Sequence, residues 1–265
     1  MSVKLICLDV DGTLVGPSGA PTEGVWAAAD RAREAGLHLA MCTARLGNGL
    51  ALEWATRLDP NGWHLFQTGA SILHTGTGAT SSTPLPVGAV EACEAIAQRE
   101  GWVFELYSDN DYVVDSDHEV AFLHAGLLGT PYVRRPVRDL AGAPLRAQLI
   151  VQDFDVDRAV ASIPSGCAAS SATSPIIPGW HFVSITAATV SKASGVLALA
   201  ALLGLHRDEL MMVGDGQNDV SAMGVVGHPV AMGNAHRDAM AASRYQVAHV
   251  EDDGVAEALD LAQTL

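Results

Sequence analysis

The sequence predicts an α/β protein whose parallel sheet is interrupted by a smaller α+β insertion. Three observations carry this. Short, nearly continuous apolar runs of strand length alternate with helical patterns over residues 4–67, and again from residue 191 onward. A middle stretch breaks that alternation, first with Gly, Thr, Ser and Pro over 75–86 and then with paired strand-like runs. The 265 residues suffice for one large domain or two modest ones, and 49% apolar residues can bury a sizeable core.

Taken in order, residues 4–10 read as a strand buried on both faces. Thr22, after Pro21, reads as the N-cap of a helix that stops near Gly36. A strand over 37–42, a helix over 49–58 and a third strand over 64–67 complete a βαβαβ pattern, which places helices on both faces of a parallel sheet. Residues 75–86 read as a hairpin and linker. The next helix, 87–99, puts Val90, Cys93, Ile96 and Ala97 on one face and stops at Gly101. Strands over 102–107 and 112–115, a helix over 117–127, a strand over 145–152, a helix over 156–163 and strands over 167–172 and 180–186 follow, a mixture expected of a largely antiparallel sheet. A helix over 191–203 and a strand over 210–214 restore the first pattern. The predicted division is therefore 1–82 and 188–265 as two parts of one domain, with 83–187 inserted.

Composition removes several classes of function. Asp and Glu number 30 against 15 Lys and Arg, a net charge of −15. Nucleic acid and anionic membranes need a basic face, so neither is an expected partner. An anionic substrate needs a local positive centre here, and a bound divalent cation is the simplest one. Cys7, Cys42, Cys93 and Cys167 are far apart, with no Cys-x-x-Cys pair, so reduced thiols and a cytoplasmic location are expected. The apolar run 5–8 is interrupted by Asp9 and Asp11, which speaks against a secretory signal, and the longest apolar run, 196–203, is too short to cross a bilayer. The ten histidines show no His-Glu-x-x-His spacing, so zinc is not expected. Gly76-Thr77-Gly78 reads as a turn, and Asp109, Asp111 and His118 as turn or helix-start residues. Oligomeric state is not legible.

Four passages carry chemistry. In Leu5-Ile6-Cys7-Leu8-Asp9-Val10-Asp11-Gly12-Thr13-Leu14, an apolar strand runs directly into two carboxylates two residues apart, which leave the strand on one side. Gly12 lets the backbone bend and its amides approach a ligand. In open α/β sheets, ligands sit at the carboxyl ends of the strands. In Leu210-Met211-Met212-Val213-Gly214-Asp215-Gly216-Gln217-Asn218-Asp219, a second apolar strand ends in carboxylates. Asp9, Asp215 and a backbone carbonyl suit Mg²⁺, a hard cation that takes oxygen ligands; Asp219 also reads as a first-turn acid at a helix N-terminus. Lys192, one of only two lysines, stands beside Ser191 at a helix start, where an ammonium strengthens anion binding. Thr43 ends the strand in Leu39-Ala40-Met41-Cys42-Thr43-Ala44-Arg45, where it is able to hold a phosphate oxygen or merely cap a helix.

In this order, the passages resemble the four motifs of the haloacid dehalogenase superfamily of phosphotransferases: Asp-x-Asp-Gly-Thr, a strand-terminal Thr, a Lys, and Gly-Asp-x-x-Asn-Asp. The resemblance is closest to the Cof-like branch with a type IIB cap inserted between the second and third motifs. Val230-Ala231-Met232-Gly233-Asn234-Ala235 and Glu251-Asp252-Asp253-Gly254-Val255 add to it. Where that branch has Gly after the Thr, this chain has Ala44, and where it has Asn-Gly-Ala, this chain has Thr68-Gly69-Ala70. The resemblance implies a Rossmann-like parallel-sheet core with an inserted α+β cap domain that closes over the site. It implies a Mg²⁺-dependent phosphatase acting on a small phosphorylated metabolite, sugar phosphates being the usual class. Asp9 is then the nucleophile and Asp11 the acid and base; Asp9, Asp11, Asp215 and Asp219 surround the metal. Gly12, Thr43, Ala44, Arg45, Lys192 and Asn218 face phosphate or substrate. A phosphomutase keeps the same intermediate and is the nearest alternative; a non-catalytic metabolite-binding protein has no need of both a nucleophile and an acid.

Overall fold

The computed structural model describes residues 2–174 and 176–265. The chain begins with β1 (Leu5–Leu8), α1 (Glu23–Glu34), β2 (His38–Met41), α2 (Gly49–Leu58), β3 (Trp63–Phe66) and β4 (Ser71–His74). Next come α3 (Ala89–Glu100), β5 (Val103–Tyr107), β6 (Tyr112–Val114), α4 (Glu119–Leu128), β7 (Arg146–Gln152), α5 (Val156–Ala161), β8 (Cys167–Ser174) and β9 (Ile177–Ala187). The last part holds α6 (Lys192–Leu203), β10 (Leu210–Gly214), α7 (Val220–Met223), β11 (His228–Ala231), α8 (Arg237–Ala242), β12 (Tyr245–Gln246) and α9 (Gly254–Ala262). These elements form two compact units, one of residues up to 44, 52–81 and 191–265, the other of 45–51 and 82–190.

The first unit is built on a five-stranded parallel sheet of order β12-β11-β10-β1-β2. Its central strands β1 and β10 are buried along their whole length, as their uninterrupted apolar sequence demands. The chain leaves β1 toward β2 on one side, while β10, β11 and β12 extend the other. The order reverses between β1 and β10, and in such sheets that switch point is where ligands bind. Thr22 caps α1, accepting from the Val25 amide at 3.2 Å. Helix α1 packs against α9, with Arg31 reaching Asp260 at 2.8 Å.

The third strand differs from expectation. β3 does not join the parallel sheet as a full member; a single bridge, Cys42 to Leu65, ties it to the end of β2. It instead forms an antiparallel pair with β4, a hairpin at 63–74 that the sequence pattern does not predict; the expected reversal at the start of 75–86 follows it, where Leu73 bridges Thr80 antiparallel and the Ser81 amide donates to the Ile72 carbonyl at 2.9 Å. The turn joining β3 to β4 runs through Gln67 (φ 51°), Thr68 (φ 61°) and Gly69 (φ 94°), all left-handed, and only the glycine is at ease there. His64 locks β3 beside β2: its Nδ1 accepts from the Met41 amide at 3.1 Å, and its Nε2 lies 3.0 Å from the Asp59 carbonyl. Burial holds this imidazole neutral, its pKa lowered to about 4.

The second unit carries a five-stranded sheet of order β6-β5-β7-β9-β8, antiparallel throughout. On one face Phe104, Leu106, Leu149 and Val183 pack with Cys93 and Ala97 of α3 and Ala159 of α5. On the other, Val103, Tyr107, Ile150 and Phe182 pack with Val120 and Ala121 of α4 and with Leu46. Glu105, fully buried on that second face, is satisfied by the Tyr107 hydroxyl, by His124 at 3.0 Å and by the Gln148 amide at 2.8 Å. His118 caps α4 and Gly101 ends α3 in a left-handed conformation, both as helix-boundary residues. Asp111 pairs with Arg135 at 2.7 Å. The α/β class, with a parallel sheet in one unit and an antiparallel one in the other, is the architecture that the sequence pattern predicts. The four cysteines are free thiols, and Cys7, Cys42 and Cys93 are buried. Among the described residues no helix is long and apolar enough to cross a membrane.

Candidate active site

The strand ends at the switch point converge. Asp9 follows β1 and is held by its amide, which donates to the Val213 carbonyl of β10 at 3.0 Å. Asp215 follows β10. Asp219 closes a 3₁₀ turn that leads into α7. One carboxylate oxygen from each of Asp9, Asp215 and Asp219 lies within 4.8 Å of the others. Lys192, the first residue of α6, reaches into this group: its Nζ stands 2.5 Å from Asp9 Oδ1 and 2.6 Å from Asp219 Oδ1. Its side chain is fully buried.

Two features bring Lys192 here. Ser191 caps α6 and makes a reciprocal capping box with Ser194. The Gln67–Gly69 turn then presses on the start of α6 with no side chain between: a Cβ on Gly69 would lie 2.5 Å from the Ser191 carbonyl, and one on Gly195 only 2.9 Å from the Gly69 Cα. The same turn is tied to β2, since the Thr68 amide donates to the Thr43 carbonyl at 2.9 Å and the Thr43 amide donates to Leu65 at 2.9 Å. Thr43 is buried at the end of β2.

The four sequence-predicted carboxylates therefore divide. Asp9 accepts from Lys192, and Asp215 accepts from the Thr13 hydroxyl. Asp219 is committed on both oxygens, to Lys192 through Oδ1 and to the Asp215 and Gly216 amides through Oδ2, at 3.1 and 2.9 Å. It thus combines the helix-start role with that of orienting the ammonium. Asp11 stands outside the group of three and is exposed, as is Asn218, whose amide packs close to Gly216. Arg45 belongs to the second unit. Gly12 is left-handed (φ 85°), and a Cβ there would lie 2.2 Å from Asp215 Oδ2, so only glycine lets the loop after β1 pass this carboxylate. The role of Thr13 is not evident from sequence: its hydroxyl donates to Asp215 Oδ1 at 3.0 Å and fixes that side chain.

The electrostatics follow from burial. Burial pushes the Asp9 carboxyl above the usual carboxylate range; Lys192 pulls it back and Asp219 pushes it up again. Burial also raises Asp215, against the hydrogen bond from Thr13. Burial disfavours the Lys192 ammonium, yet Asp9, the Cys42 sulfur and Asp219 together hold it well above its ordinary value. One ammonium among three close carboxylates leaves negative charge uncompensated in a poorly solvated site. A hard divalent cation matches this donor set of carboxylate oxygens.

Two carboxylate-bearing strand ends and a buried lysine thus meet at the switch point of a parallel sheet whose chain is interrupted by an antiparallel unit. The chain belongs to the haloacid dehalogenase-like hydrolases, whose family model matches residues 6–259; within them it is a Cof-like phosphatase, a phosphoric monoester hydrolase. It is similar to a phosphoglycolate phosphatase of Methanococcoides burtonii, 26% identical over 99% of this chain and 97% of that one. It is similar also to a 5-amino-6-(5-phospho-D-ribitylamino)uracil phosphatase of Bacillus subtilis, 24% identical over 97% of each chain. Its fold matches that of a solved subclass IIB sugar phosphatase with a TM-score of 0.79, at 21% identity, over 99% of this chain and 100% of that one.

Proposed function

We propose that the protein is a magnesium-dependent, cytoplasmic phosphatase that hydrolyses a small phosphorylated metabolite, of sugar-phosphate type, through a phosphoaspartate on Asp9. Residues 83–187 form its inserted cap. The observation that supports this most is the buried Asp9 carboxylate at the switch point, paired with Lys192 and beside Asp215. The similar proteins named above are phosphatases of phosphoglycolate, of a phosphoribitylaminouracil and of sugar phosphates, which fits a common reacting centre and a separate specificity.

Asp9 and Asp215 would hold the cation, with Asp219 and Asp11 around it. When bound, Mg²⁺ supplies positive charge to the phosphoryl oxygens and lets them approach the carboxylates. An Asp9 oxygen forms a bond to phosphorus as the bond to the leaving oxygen breaks. Asp11, exposed beside it, gives that oxygen a proton and the alcohol departs. Water then attacks phosphorus, Asp11 takes its proton, and the Asp9 carboxylate is released. Lys192 holds Asp9 in place and offsets charge on the transferring group, with Gly12, Thr43, Ala44 and Asn218 around the phosphate. Asp219 keeps the ammonium aimed. Replacing Asp9 by Asn should abolish Mg²⁺-dependent release of 4-nitrophenol from 4-nitrophenyl phosphate with the fold intact by circular dichroism. Turnover near that of the unaltered enzyme would overturn the assignment.

A further inference from the structure

The passage Val230–Ala235 resembles the family but has no part in the chemistry derived above. The structure shows what its Asn234 touches. The side-chain Nδ2 donates to the Gly12 carbonyl at 2.7 Å, and Oδ1 accepts from the Val250 amide at 3.0 Å. Both ends of the half-buried amide are engaged by backbone, so the residue is not placed to bind substrate.

Its partners lie on three different strand-end loops. Asn234 follows β11, Gly12 follows β1, and Val250 follows β12. The loop bearing Asn234 is itself fixed: the Met232 amide donates to Gly214 at 3.1 Å, the Gly233 amide to Ala248 at 3.0 Å and the His236 amide to Asp215 at 2.8 Å. Gly233 has no room for a side chain, since a Cβ there would lie 2.8 Å from the His249 nitrogen. The loop after β1 is also tight, with the Gly12 amide donating to Val15 at 2.9 Å and the Leu14 amide to Asp9 at 3.3 Å. The Gly12 residue thus sits between the Asp215 carboxylate, which a Cβ would strike, and the Asn234 amide, which grips its carbonyl. Asp11 is the residue immediately before it. The carbonyl that Asn234 holds belongs to the Gly12–Thr13 peptide, so the contact pins the far end of the short turn on which Asp11 sits, while Asp9 at the near end is anchored to β10.

We propose that Asn234 is a positioning residue that holds the Gly12 carbonyl and thereby aims Asp11 at the leaving oxygen. This rests on the reading of Asp11 as general acid. Asn234→Asp is the sharpest perturbation: it keeps an acceptor for the Val250 amide and sets an oxygen against the Gly12 carbonyl. Asn234→Ser, smaller and neutral, serves if the first variant does not fold. The readout is kcat/KM for 4-nitrophenyl phosphate and for phenyl phosphate, since this ratio reports the step in which the leaving group departs. A stable nitrophenolate leaves without a proton; phenolate needs one.

The ratio of the two kcat/KM values should widen by about tenfold or more in a folded variant, as expected when a general acid is displaced. An unchanged ratio, with both substrates slowed alike or neither slowed, would overturn the proposal and mark the contact as merely structural. The Asp9→Asn control separates the two claims. If that variant still turns over, the phosphoaspartate reading fails whatever Asn234 does; if it is dead and the ratio is unchanged, only the role of Asn234 fails.

Discussion

Thr68 stands in a conformation that its side chain opposes, and replacing it should make the protein more stable. Its φ of 61° and ψ of 25° are left-handed, and Gln67 before it is left-handed too. For an L-residue that conformation costs roughly 1–2 kcal/mol, and a β-branched side chain is among the worst placed to bear it. The turn persists because its surroundings determine it. The Thr68 amide is bonded to Thr43, and Gly69 fits against Ser191 with no side chain between. Asn tolerates the left-handed region, so Thr68→Asn should recover about 1 kcal/mol, which raises the midpoint of thermal unfolding by about 3 °C in a chain of this size. Thr68→Gly should recover less, because glycine gains roughly 0.5–1 kcal/mol of freedom in the unfolded chain. Urea and thermal unfolding of the full chain, followed by tryptophan fluorescence, test this. A Thr68→Asn variant no more stable than the parent would refute the strain argument. The family's usual Asn at this place would then need a reason in substrate contact rather than in backbone geometry.

Three further outcomes follow from the same geometry. Lys192→Met leaves Asp9 and Asp219 buried without their ammonium and should cost roughly 3–5 kcal/mol in urea unfolding; adding Asp219→Asn should return part of it, and a double variant no more stable than the single would deny the pairing. Gly12→Ala forces a Cβ against Asp215 and should lower kcat on 4-nitrophenyl phosphate about a hundredfold, with a raised Mg²⁺ requirement read from the activation curve. His64 is neutral in the folded chain with a pKa of about 4, whereas the unfolded imidazole titrates near 6.5. The unfolded state therefore binds the extra proton first, and stability that is complete above that value falls with pH toward 4 by roughly 3 kcal/mol. His64→Asn should flatten this part of the stability–pH profile.

The residues that the sequence exposes are those whose signal is local. An apolar run that ends in acid marks Asp9 and Asp215, because a buried strand does not carry carboxylates without cause. Lys192 is ambiguous by itself and gains meaning from the order of its neighbours. The β3–β4 hairpin is not legible, because Gln67 and Thr68 turn left-handed with neither Gly nor Asn at their positions; the reversal that follows β4 is legible, because Gly76 and Gly78 mark it. The Asp219 bond to Lys192, the Thr13 bond to Asp215 and the reach of Asn234 to Gly12 depend on pairs separated by 27 to 222 residues. No periodicity or cap rule reports such pairs. Gly69 and Gly195 show the same limit: each reads as an ordinary loop or helix glycine, and only their mutual approach reveals why neither has a side chain.

The order of strands also sets an order of assembly. β1 pairs with β2, its near neighbour in sequence, and with β10, which arrives about two hundred residues later. Until that happens, Asp9 lies at the end of a half-paired strand, and the lysine that neutralises it, 183 residues away, has yet to be synthesised. The five antiparallel strands between them pair only with one another and are complete before β10 exists. During synthesis the insertion is therefore free to fold ahead of the domain that contains it. Closing the central sheet is a late, long-range event, and the charges of the reacting centre become compatible only in the step that completes the sheet.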